Sequence, residues 1–152
     1  MNSKSLRGMS VLVTLFACLF ITGRSSSSPQ PRIPNPVLYL TRAEPHKTGG
    51  KQFTRYTYDV FNKDVYPAEL FVASPDLPPC GKNTKASRTW VDVYDQSGKR
   101  LQGFCAFSKP ADLKNIWFDV EEGTTPPSWV YVELTDRLTN TKYKSNLAET
   151  VE

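Results

Sequence analysis

Residues 89–95 read TWVDVYD, an alternation that places Val91 and Val93 on one side of an extended strand and Trp90, Asp92 and Tyr94 on the other. The same two-residue period recurs in NIWFDV (115–120), where Ile116, Phe118 and Val120 oppose Trp117 and Asp119. It returns in SWVYVEL (128–134), where Val130, Val132 and Leu134 oppose Trp129, Tyr131 and Glu133. Further extended runs are PVLYLTRAE (36–44), FTRYTYDVF (53–61, between KTGG and NKD) and AELFVAS (68–74), the last halted by the prolines of SPDLPP. TWVDVYDQSGKRLQGFCAF predicts a hairpin with Gly98 at positive φ in its turn, and TDRLTN predicts a second turn leading to TKYKSN. PADLK (110–114) has the length of one helical turn, and no long segment keeps apolar residues at helical spacing.

About seven short strands with frequent turns predict an all-β fold, two antiparallel sheets packed face to face. In its order of events, an early edge strand at PVLYL, a central hairpin and PPSWVYVELTDRLTNTKYKSN in place of the last two strands, the chain resembles an immunoglobulin-like module of fibronectin type III kind. The resemblance spans most of residues 36–146 and implies the sandwich fold, with no binding residue carried over. One departure concerns the cysteines. Antibody-type domains join their two sheets through a cysteine pair around a central tryptophan, whereas Cys80 falls in a proline-rich loop only ten residues before Trp90. The expected organisation is a leader with its cleavage region at 1–28, a proline-rich linker at 29–36, the sandwich at 37–147 and a tail at 148–152.

The leader changes both the charge and the cysteine arithmetic. Lys4 and Arg7 precede the apolar run MSVLVTLFACLFITG and a serine tract, the layout of a signal peptide cleaved between Gly23 and Ser28. The alternatives are lipidation at Cys18, since LFAC resembles the lipobox of bacterial lipoproteins, and retention as an uncleaved anchor. The run stays apolar beyond Cys18 and is short for a membrane span, so the expectation is a secreted or periplasmic protein with no stable membrane insertion after cleavage. Without Lys4, Arg7 and Arg24, the 19 basic residues fall to 16 against 15 acidic ones, a net charge of +1. That balance argues against a nucleic-acid partner. The remaining chain of roughly 124 residues suits one core. Cys80 and Cys105 are then an exported pair, read as a disulfide whose loop closure would stabilise the fold by about 3.5 kcal/mol.

Parity also nominates a contact surface. All three tryptophans share the less apolar face of their strands with a carboxylate, so neighbouring strands would present Trp90, Tyr94, Trp117, Asp119, Trp129, Tyr131 and Glu133 together, with Asp92 beside them. Flat rings stack on sugars and carboxylates accept hydrogen bonds, which suits a glycan or protein partner; the same rings also stabilise a sheet with no ligand. Two other function classes stand beside this one. A small hydrolase would work through paired carboxylates, against which stands the shortage of material for a substrate-sized cleft. An inhibitor would act through loop 74–88, preorganised by proline and the disulfide. Nucleophile elbows, phosphate loops and zinc motifs are missing, and the single histidine, His46, reads as a surface-turn residue beside KTGG. Two cysteines with one distant histidine do not make a zinc site, and Asp95 in DQSG lacks the regularly spaced oxygens of a calcium loop. The expectation is a binding module with no catalytic residue, metal or cofactor.

Overall fold

A computed structural model describes residues 32–73, 76, 77, 79, 80 and 86–150. Eight strands form: β1 (Leu38–Thr48), β2 (Lys51–Val60), β3 (Thr89–Asp95), β4 (Arg100–Phe104), β5 (Ile116–Glu121), β6 (Trp129–Asp136), β7 (Thr141–Lys144) and β8 (Ala148–Glu149). They build an all-β two-sheet sandwich, one sheet ordered β1-β2-β5 and the other β4-β3-β6-β7, with β8 joined to β6 as well. All named pairings are antiparallel.

The alternation read from the sequence decides what lies between the sheets. Val91, Val93, Val130, Val132 and Ile116 are wholly buried, with Phe118 and Leu134 nearly so. From β2 the core receives Tyr56 and Tyr58, both stacked on Phe118. Leu113, on a 3₁₀ segment Pro110–Asn115 longer than the single turn expected, is also shut off from solvent. β1 and β2 are joined by Gly49 and Gly50, both at positive φ, the two-residue turn whose twist matches that of a hairpin. Gly98 takes positive φ in the β3–β4 turn, as its place in DQSGK predicts. β1 shifts register between Leu40 and Arg42 and carries Pro45 opposite Thr54 on the sheet's outer strand.

On one side the sandwich is closed by Asn146, whose carbonyl accepts from Leu38 N at 2.8 Å and whose amide donates to Leu38 O at 3.0 Å. On the other, β4 and β5 are the terminal strands of their sheets.

Three expectations change. AELFVAS is a 3₁₀ turn, Ala68–Phe71, that buries Leu70 and Phe71, followed by an isolated bridge from Ala73 to Ser87. His46 is a residue of β1 opposite Phe53, not a turn residue, because the glycines beyond it make the turn unaided. β8 was not foreseen; two residues are too few to show a period, and they extend the sheet past 147. The stretch expected as a linker is fastened at its end: the Tyr66 hydroxyl donates to Pro34 O at 2.9 Å and the Asn62 amide to Asn35 O at 2.9 Å. Cys80 and Cys105 form a disulfide with Cα atoms 6.2 Å apart, Cys105 lying just past the end of β4. The expected leader and residues 74, 75, 78 and 81–85 of the proposed inhibitory loop lie outside the described residues.

Candidate functional site

Register brings five of the seven nominated residues onto one surface, the outer face of the β4-β3-β6-β7 sheet. Tyr94 pairs with Tyr131 and Asp92 with Glu133, so the aromatic and acidic positions of β3 and β6 stand side by side. The Tyr94 and Tyr131 rings stack with centroids 5.2 Å apart. Two positions from Tyr131 along β6, Trp129 is 40% exposed, the most open of the three tryptophans. Trp90 lies toward the other end, with its indole nitrogen shut off from solvent and without an acceptor among the described residues.

Cations not nominated from the sequence complete this face. Arg100 reaches across to Asp92 at 2.6 Å, over Gly103, where any β-carbon would collide with the guanidinium. Lys142 donates to Glu133 at 2.7 Å, while Lys144 sits 3.9 Å above the Tyr131 ring and Arg137 stands 4.5 Å above Trp90. Sequence spacing contained a partial signal for the lysines: Lys142 and Lys144 flank Tyr143 with the period of a strand, but only the pairing of Glu133 with Lys144 reveals what they face. The Glu133 hydrogen bond raises Lys142 above the ordinary lysine value. Burial foremost, and then the charges of Asp92 and Glu133, push the Tyr94 hydroxyl upward.

Trp117 and Asp119 are not part of this surface. β5 pairs with β2, so both project from the opposite sheet. There Arg55 makes two hydrogen bonds to Asp119, at 2.8 and 2.9 Å, and lays its guanidinium 3.8 Å from the Trp117 centroid. Phe104 meets Trp117 edge-on, Phe107 stacks on Phe104, and His46 Nε2 lies 4.0 Å from Asp119. These side chains satisfy one another, which accounts for their sequence pattern by packing.

A cleft of about 470 Å³ opens near the ends of β4 and β5, with Leu101, Phe118 and Val120 among its apolar lining and Asp95, Asp119 and Glu121 among its carboxylates. Asp95 accepts from Ser97 N, Ser97 Oγ and Lys99 N, closing its own turn, and the Ser97 hydroxyl foremost holds it below the ordinary carboxylate range. Glu121 is bound by Lys51 at 2.8 Å and Asp119 by Arg55. Arg88, the last residue of the proposed inhibitory loop, is locked to Asp136 by two hydrogen bonds of 2.8 and 2.7 Å. Among the described residues no group of three or more metal-ligating side chains occurs, and no helix is long and apolar enough to cross a membrane. No protein-family model, curated protein or solved structure matches the chain.

Proposed function

We propose that the chain is exported and works as a non-catalytic binding module of immunoglobulin-like, fibronectin type III-like kind, holding a glycan or protein partner on the outer face of the β4-β3-β6-β7 sheet. The observation that carries this reading is the stacked Tyr94–Tyr131 pair, continued along the same sheet face by the exposed Trp129. Rigid aromatic side chains lose little entropy on contact and dominate binding energetics where they are accessible. A three-stranded sheet against a larger one containing the β3–β6 pair supports the module type, and the leader with a joined cysteine pair supports export.

A carboxylate hydrolase finds less support. A glycosidase needs one carboxyl kept protonated as its acid, whereas of the cleft's carboxyls Asp119 is held by Arg55, Glu121 by Lys51 and Asp95 within its own turn.

Capture of partners from culture medium or cell-envelope extract tests the proposal. Trp129→Ala and Tyr131→Ala are expected to lower recovery of the captured partner at least tenfold with an unchanged circular dichroism spectrum. Undiminished capture by both variants refutes this face as the contact surface. Turnover of a chromogenic glycoside that disappears in Asp119→Asn would establish the hydrolase instead.

A further inference from the structure

We infer that the partner of this face is a uronic-acid-bearing polysaccharide, an inference that rests on the face being the contact surface and adds the chemistry of what it holds. Neighbouring strands expected to show acid beside aromatic rings in fact show a surplus of cations. Asp92 and Glu133 stand among Arg100, Arg137, Lys142 and Lys144, and a third carboxylate, Glu149 of β8, lies opposite Trp129 at the end of the face, leaving the cations one ahead. Arg100 and Lys142 are used on those carboxylates, at 2.6 and 2.7 Å. Arg137 and Lys144 are not engaged by a carboxylate among the described residues; each is seated on a ring instead, Trp90 and Tyr131 respectively.

A cation over an aromatic face keeps its charge and gains a fixed position. The two covered rings therefore do not offer a bare platform to a neutral sugar; what they present outward is a held positive charge. Tyr94 and Trp129 carry no such cation among the described residues and stay available for stacking. Free rings at Tyr94 and Trp129, with held cations on Tyr131 beside them and on Trp90 further along the face, suit a chain of pyranose rings bearing carboxylates. The face already binds that group twice, through Arg100 and Lys142, and guanidinium and ammonium donors suit it.

Other polyanions and proteins fit less well. Protein interfaces are depleted of charge, lysine especially, at their centres. A nucleic acid calls for a broad positive field, which a chain with a net charge of +1 beyond its leader does not supply.

Affinity electrophoresis of the purified protein through gels containing polygalacturonate, its fully methyl-esterified form, heparin or dextran tests this, with single-stranded DNA as a competitor. Polygalacturonate is expected to retard the protein at low salt and progressively less as salt rises, while the esterified polymer and dextran do not. Arg137→Gln combined with Lys144→Gln is expected to weaken retardation about a hundredfold, roughly tenfold per cation, with an unchanged circular dichroism spectrum. Retention on the esterified polymer or dextran that Trp129→Ala abolishes and the double variant does not would overturn the uronate inference and leave the contact face standing. Stronger retention on heparin, or equal competition by DNA, would overturn it as a polyanion effect without sugar specificity. Absence of retention on every polymer, together with partner capture indifferent to Trp129→Ala, would remove both readings.

Discussion

Replacing Asp136 by asparagine keeps the side chain's shape and removes its charge, at a site where that charge is fully engaged. Asp136 closes β6 and is 2% exposed. Oδ1 accepts from Arg88 Nε at 2.8 Å and Leu138 N at 3.0 Å; Oδ2 accepts from Arg88 Nη2 at 2.7 Å and Thr139 Oγ1 at 2.8 Å. The cluster bolts the residue before β3 to the end of β6 and to the turn that follows. The Arg88 hydrogen bonds, foremost, lower the Asp136 carboxyl from 3.8 to about 2, against a smaller opposing effect of burial. At 1.36 kcal/mol per unit, that depression corresponds to about 2–3 kcal/mol of folding stability at neutral pH. Because the folded value lies below the unfolded one, this contribution is complete above pH 3.8 and lost as the pH falls through about 2. Urea unfolding followed by tryptophan fluorescence from pH 7 to pH 2 would measure it. Wild type is expected to exceed Asp136→Asn by about 2–3 kcal/mol at pH 7, with the gap closing below pH 4. A gap that stays constant down to pH 2 would refute the assignment of this stability to the ionised carboxylate. Arg88→Ala leaves the carboxylate without its cation and is expected at the lower end of the roughly 3–5 kcal/mol cost of breaking a buried pair, since the Arg88 side chain is 25% exposed.

Reduction of Cys80–Cys105, or Cys105→Ser, opens a loop of 25 residues and is expected to cost about 3.5 kcal/mol. Calorimetry with and without reductant should then show a thermal midpoint lower by roughly 10 °C. An unchanged midpoint contradicts the staple. Burial raises the hydroxyls of Tyr58 and Tyr66 well above the usual tyrosine value of 10.0. Stability is therefore expected to hold below pH 10 and to fall above it as the unfolded chain ionises; ultraviolet titration should show both groups appearing only with unfolding.

Strand parity was readable in the sequence because each sheet buries one face: Val91, Val93, Ile116, Phe118, Val130, Val132 and Leu134 alternate with residues that do not fill the core. Partnership between strands was not readable. NIWFDV and SWVYVEL carry the same pattern, yet β5 belongs to one sheet and β6 to the other, which separated Trp117 and Asp119 from the rest of the nominated face. Ion pairs were hidden for a related reason. Arg55 meets Asp119 across 64 residues and Arg88 meets Asp136 across 48, separations at which local spacing holds no information. AELFVAS misled because a short apolar run fits a strand and a buried turn equally well. Only Leu70 and Phe71 of the run enter the core, while Val72 is exposed, and the backbone is a turn where a strand was expected.

The outer strand of the smaller sheet has a consequence for a protein kept at high concentration. An uncovered strand is a template on which a neighbouring molecule can add its own backbone, the first step toward fibrils. β1 interrupts that ladder twice, by the slip between Leu40 and Arg42 and by Pro45, which has no amide hydrogen to donate, and between them it sets the charges of Arg42 and Glu44. Copies crowded together meet on this side a blunted rim, a poor template for added backbone.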